Sequence, residues 1–410
     1  MKKVELLAPA GDLERLKFAF IYGADAVYLG GEKYGLRAAA KNFSLEQIKE
    51  GVDFAHNLNK KVYITINIFA HNEDLEGLDD YISYLKDINV DGFIISDPAI
   101  IQLAQEIAPE VEIHLSTQSN TTNYLSAFFW QKVGVKRVVI ARELNFEEIR
   151  KFSEELNEKI QIEAFVHGAM CISYSGRCLI SNFLLQKDAN RGECKHPCRW
   201  KYSLVEETRP GQYFPVTEDD RGTYFFNSKD LCMIEYIPQL IESGINSLKI
   251  EGRMKSTLYI ATVIGAYRRA IDEYYKNHEN WKFDPEWMKE LKKATHRDFT
   301  TGFYFNRPNK DDQRYDNSNY IRDYLFCGIG KDYDEKNKLS LVQQRYRMFT
   351  GDEVEIMGYD LQHSIHTTIK KMFDEEGKEI SVAPNPMKII KMDLGIPIKE
   401  NYIIRKKREE

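Results

Sequence analysis

The sequence predicts an α/β protein: a (β/α)8 TIM-barrel-like domain with a cysteine-rich insertion, followed by a small C-terminal all-β, barrel-like domain. Three observations carry this. For about 250 residues, short β-branched runs alternate with longer amphipathic ones, as in a parallel sheet covered by helices. Eight such runs occur, most of them near-continuously apolar, as strands buried on both faces are. Beyond residue 305 the composition shifts to Asn, Asp, Lys and Gln, and the segments that follow are short and separated by turns.

The strand candidates span 4–8, 26–29, 61–68, 92–96, 112–116, 137–141, 161–166 and 247–250. Helical periodicity fills 13–22, 44–58, 75–88, 98–107, 123–133, 145–156 and 233–243, and a last stretch over 258–277 would close the barrel. Asp12, Ser44 and Asn145 stand where N-caps belong, and Gly23, Gly134 and Gly244 where helices stop. Eight strands favour closure over an open doubly wound sheet, which stays as the alternative. The count treats residues 169–230 as one insertion after the seventh strand. The barrel domain is assigned to 1–304, a linker to 305–321 and the β domain to 322–405. The closing run Arg405-Lys406-Lys407-Arg408 reads as a solvated end.

The 410 residues include 57 Lys+Arg against 63 Asp+Glu, a formal net charge of −6. No chain-wide positive field gathers nucleic acid, so RNA binding would need a local patch. A hydrophobic content of 43 % with 12 % aromatics supports a large core and excludes a disordered chain. The start of the chain has no signal-peptide pattern, and the stretch 113–131, free of Asp, Glu, Lys and Arg, is too polar for a membrane span. The expectation is a cytoplasmic protein without membrane contact.

Cys171, Cys178, Cys194 and Cys198 fall within 28 residues of the insertion, where a barrel keeps its active-site loops. In a reducing compartment such a cluster reads as metal-binding or catalytic before it reads as disulfides. Four soft thiolates suit zinc or an iron–sulfur cluster, and their spacing does not choose between them. Buried structural cysteines are the bland alternative, which fits the isolated Cys327 best.

The C-terminal ends of barrel strands carry the site. There stand Asn67, Gln118, Arg142, His167 and the group Lys249-x-Glu251-x-Arg253. Lys249 and Glu251 alternate onto one face, where charge is costly unless paired or bound. Either a Lys249–Glu251 or Arg253–Glu pair seals the mouth, or Lys and Arg hold a dicarboxylate. His167 is a proton donor or a structural histidine. Lys195-His196-Pro197-Cys198-Arg199-Trp200-Lys201 interleaves cations and aromatics, a weak RNA signal by itself. No His-Glu-x-x-His, Gly-x-Ser-x-Gly or P-loop is present.

Glu163-Ala164-Phe165-Val166-His167-Gly168-Ala169-Met170-Cys171, followed by Gly176-Arg177-Cys178-Leu179-Ile180-Ser181, resembles the signature of the U32 peptidase family, collagenase-like "peptidases" of unassigned mechanism. Residues 5–11, 24–30, 227–231 and 247–253 resemble further blocks of that family, and the β domain resembles its C-terminal domain. The layout is most similar to the family's tRNA hydroxylation branch. That resemblance implies prephenate-dependent 5-hydroxylation of the tRNA wobble uridine, using a 4Fe–4S cluster. By motif match its ligands are Cys171, Cys178, Cys194 and Cys198, with Cys232 competing for the fourth place. With that function in view, His167 and Glu251 are the candidate catalytic residues. Arg142, Lys249 and Arg253, with Asn227 and Lys229, are the candidates for holding substrate. The expected partners are tRNA and a small dicarboxylate; a homo- or heterodimer is left open. The alternatives are a U32-type peptidase, a hydroxylase of another RNA, and an RNA-binding protein with a structural cluster.

Overall fold

The computed structural model describes residues 3–36, 42–171, 173–174, 176–200, 203–205, 213–215, 229–307 and 320–408. The apolar runs become β1 (Glu5–Pro9), β2 (Ala26–Leu29), β3 (Lys61–Ile66), β4 (Gly92–Ile95), β5 (Glu112–Leu115), β6 (Arg137–Val139), β7 (Gln161–Ala169) and β8 (Ser247–Ile250). Successive strands pair in parallel, and β8 pairs with both β1 and β7, so the sheet closes into an eight-stranded barrel rather than staying open. Between the strands run α1 (Leu13–Ile21), α2 (Leu45–Asn57), α3 (Leu78–Asp87), α4 (Pro98–Ile107), α5 (Tyr124–Lys132), α6 (Phe146–Leu156) and α7 (Ile237–Glu242), and α8 (Thr257–Lys276) follows β8. Asp12, Ser44 and Asn145 cap α1, α2 and α6, the last two in reciprocal capping boxes with Gln47 and Glu148.

Two of the departures from expectation have a visible physical cause. β7 runs on to Ala169 because Asp230–Cys232 pairs antiparallel along its far end. The helix expected over 233–243 shrinks to α7, since Pro238 lacks the N–H an earlier start would use and sits in the first helical turn.

The C-terminal domain is an eight-stranded sheet in which every pair is antiparallel. Its basic tail is not a solvated end. Ile403–Lys407 is a strand paired on both sides, with Tyr324–Asp334 and Glu353–Met357. Ile403 and Ile404 are fully buried and carry Arg405 in with them. Its guanidinium meets Glu355 at 2.8 Å and, across the domain boundary, Glu290 of the helix Pro285–Leu291 at 2.6 Å. The Tyr22 hydroxyl, from the end of α1, adds a second tie at 3.1 Å to the Met357 carbonyl and 3.0 Å to that of Asn401. Cys327 is buried in this domain's core. Most of the expected linker, residues 308–319, lies outside the described residues. Among the described residues no helix is long and apolar enough to cross a membrane.

Candidate functional site

Strand alternation decides what fills the barrel. Glu5 and Leu7 on β1, Tyr28 on β2, Tyr63 on β3, Arg137 on β6, Glu163 and Phe165 on β7 and Lys249 on β8 meet in the interior. The interior is charged and matched. Arg137 bridges Glu5 at 2.6 Å and Glu163 at 3.2 Å, and Lys249 Nζ bonds Glu163 at 2.6 Å. Tyr63 and Ser247 donate to Glu5 at 2.7 and 2.8 Å. Burial alone would raise the carboxyl of Glu163, but Lys249 and Arg137 outweigh it and hold it below the ordinary range; Arg137 does the same for Glu5. The partner of Lys249 is therefore Glu163 of the neighbouring strand β7, and not Glu251.

Above this network, at the C-terminal strand ends, lies a cavity of about 180 Å³. Its floor holds Lys249, whose ammonium lies 4.3 Å from the Tyr28 ring centre. Glu251 accepts from the Tyr28 hydroxyl at 3.3 Å. Arg253 is 4 % exposed and donates to the Leu36 carbonyl and the Asn42 side-chain oxygen, both at 2.8 Å. Gly30 makes its room: a Cβ there would stand 2.4 Å from Arg253 Nη2. Arg142 completes the cationic side, 5.5 Å from the Phe165 ring centre and 3.3 Å from the Ala169 carbonyl.

The insertion forms the opposite wall. Cys171, Cys178, Cys194 and Cys198 all line this one cavity, with Cys171 exposed and the others half-buried. Gly176 brings the segment down: it has φ +73°, and a Cβ would lie 2.3 Å from the Gln118 carbonyl oxygen. Arg191 ties the insertion to the loop after β3 through Glu73 at 2.9 Å and Asp74 at 2.8 Å. The donor chemistry fits a thiolate-ligated metal centre. The thiols share a wall without converging: among the described residues no three His, Cys, Asp or Glu side chains are gathered to hold a metal ion.

Not every candidate reaches the cavity. His167 would face inward by alternation from Glu163 and Phe165, but a register shift between Phe165 and His167 in the β7–β8 pairing turns it outward. It is buried among Tyr259, Tyr267 and Phe299, with the Tyr267 hydroxyl 3.5 Å from Nδ1. His167 and Cys171 therefore do not share a site. Lys229 is half-buried just before the Asp230–Cys232 strand and does not line the cavity. Asn227 lies outside the described residues. Cys232 is buried beside β7, away from the cavity, and burial pushes its thiol up to about 12.

A model of peptidase family U32 matches residues 11–314, and one of the family's C-terminal domain matches residues 322–405. The chain belongs to peptidase family U32. This U32 protein is 46 % identical over 405 residues to tRNA hydroxylation protein P1 of Bacillus subtilis, covering 99 % of this chain and 95 % of that one. It is 34 % identical to tRNA hydroxylation protein P of Escherichia coli, covering 98 % and 96 %. An uncharacterized protease of Methanocaldococcus jannaschii is 38 % identical, covering 99 % and 97 %.

Tyr28 and Asn190 of this U32 protein are among the cavity residues that side-chain chemistry alone does not single out. Tyr28 was legible in principle, two places after inward-facing Ala26 on the same strand. Asn190 was not, because only the fold-back of the insertion brings it over the barrel mouth, where its carbonyl accepts from the Phe69 amide at 3.1 Å.

His167 has a testable role in stability. Burial, reinforced by Lys255 and His296, pushes its imidazole from 6.5 down to about 3. Between those values the unfolded state binds the extra proton, so stability falls as pH drops below 6.5. His167→Gln is expected to flatten that part of the acid slope in urea titrations at stepped pH. An unchanged slope would refute neutral burial.

Proposed function

We propose that this U32 protein acts in RNA hydroxylation, with the 5-position of the tRNA wobble uridine as target and prephenate or a molecule derived from it as cosubstrate. The observation that carries the reading is the shared cavity: four thiols line it together with Lys249, Arg253 and Arg142 at the barrel mouth. It is supported by two full-length relatives that carry the name tRNA hydroxylation protein. Cys171, Cys178, Cys194 and Cys198 would hold a 4Fe–4S cluster, which supplies redox or Lewis-acid chemistry when bound. Lys249 and Arg253 present cations to a dicarboxylate, and Arg142 widens that electropositive side. The cations are pre-positioned: Glu163 anchors Lys249, and Leu36 and Asn42 orient Arg253. Glu251, at the cavity edge beside the Tyr28 hydroxyl, is the group placed to accept or return a proton.

Nucleoside mass spectrometry of tRNA from cells lacking this protein tests the reading. Loss of 5-hydroxyuridine-derived nucleosides is expected, and an unchanged profile overturns it. Cleavage of gelatin by the homogeneous protein, abolished in Cys171→Ser, would favour the peptidase reading instead. At the anion site, a lost charge-assisted bond costs about 1.5–3 kcal/mol. Arg253→Ala is expected to weaken prephenate binding roughly ten- to a hundredfold in calorimetry, with Arg253→Lys intermediate. Unchanged affinity in a folded variant would leave Arg253 a purely structural role.

A further inference from the structure

Beside the thiol-lined cavity lies a second one, of about 410 Å³. That volume falls in the range of small-molecule sites, roughly 300–1,000 Å³. The two cavities share Ala169, His196 and Glu251, so they adjoin at the barrel mouth. Three stretches remote in sequence build the second cavity: Lys195 and Trp200 from the insertion, Met254 and Lys255 after β8, and Arg297 with Tyr320. Trp200 is 47 % and Met254 54 % exposed, an apolar surface at the barrel mouth. The Tyr320 ring centre stands 3.9 Å from Lys255 Nζ and 4.4 Å from Arg297 Cζ, which holds both cations on one wall. Lys195, Lys255 and Arg297 line it together with the Glu251 carboxylate, and Arg297 also lies 3.9 Å from the buried carboxylate of Asp230, in a chain whose net charge is −6. A local cationic patch interleaved with aromatic faces is the chemistry that binds unstacked nucleotides: rings take bases and cations take phosphates.

We infer that this second cavity binds the nucleotide adjoining the one modified, its base stacked on Trp200 and its phosphate held by Lys195 and Lys255. The inference rests on the RNA reading above and adds to it a subsite that would fix which loop nucleotide enters the thiol-lined cavity. It commits to single-stranded RNA, because a duplex buries the base faces that Trp200 would need.

Fluorescence anisotropy with a labelled RNA stem–loop carrying uridines in its loop, using the full chain, tests it. Stacking on one aromatic corresponds to roughly five- to a hundredfold in affinity, and that loss is expected in Trp200→Ala, with most of it restored in Trp200→Phe. Lys255→Ala is expected to lower the slope of log affinity against log salt by about 0.7, one phosphate contact on a single strand. If the native protein binds the stem–loop and Trp200→Ala binds it equally well, the subsite is refuted while the RNA reading stands. If the native protein ignores the stem–loop, both fall. Displacement of the bound stem–loop by a collagen-type peptide but not by oligouridylate also overturns the inference.

Discussion

If the four thiols hold the proposed cluster, Cys171→Ala and Cys178→Ala proteins, purified without oxygen, are expected to lack the visible absorbance and the iron expected of the native protein. Changing a residue behind a metal ligand already costs about 10–100-fold in metal affinity, so on the proposed reading removing a ligand should exceed that and abolish hydroxylation with it. The same measurement ranks the other cysteines. Cys194→Ala and Cys198→Ala should behave like the first two, since all four thiols line one cavity. Cys232→Ala and Cys327→Ala should keep their iron. Both thiols are buried away from that cavity, and burial raises each to about 12. Iron lost from Cys232→Ala and kept in Cys198→Ala would exchange those two roles. Stoichiometric zinc without iron would replace the cluster with a zinc site.

The second large effect lies deep in the barrel. Glu163 is fully buried and holds Arg137 at 3.2 Å and Lys249 at 2.6 Å. Glu163→Gln leaves two buried cations with one carboxylate, Glu5, to balance them. Breaking a buried pair this way costs about 3–5 kcal/mol, readable as a lower urea midpoint. The pH dependence carries the sign. Glu5 and Glu163 both titrate in the fold below 4.5, so their contribution is complete above that value and is lost as pH falls through the folded one. Glu163→Gln should therefore lose stability more gradually than the native protein below pH 4.5. Lys249→Met, which keeps the Glu163–Arg137 pair, should cost less stability and still weaken dicarboxylate binding. Equal stability losses in both variants would mean that Lys249 serves the fold alone.

Much of the candidate site is legible in the sequence. The cysteine cluster, the cationic group at the last strand and the basic–aromatic run around Trp200 are local in sequence, and side-chain chemistry identified each. What failed were inferences that needed a neighbour. His167 follows the parity of its strand only until the register shift after Phe165, a feature set by the partner strand. One of the readings open to Lys249 pairs it with Glu251 two residues away, whereas its anion comes from β7. The basic tail looked solvated because charge dominates its composition, yet Glu290 and Glu355, far off in sequence, make the burial of Arg405 tolerable.

The sequence by itself determined the alternation that makes a closed parallel barrel, the caps that start its helices, the all-β character of the second domain, and the gathering of four cysteines in one insertion. These depend on periodicity, local hydrogen bonding and donor type, which are properties of adjacent residues. Only the tertiary structure decided that four thiols and three cations line one cavity, that a balanced set of charges fills the barrel beneath it, and that a second aromatic and cationic cavity adjoins the first. Convergence of this kind depends on strand register and on how the insertion folds back. A one-residue slip turns an entire face over, and no local pattern encodes where a loop of this length lands.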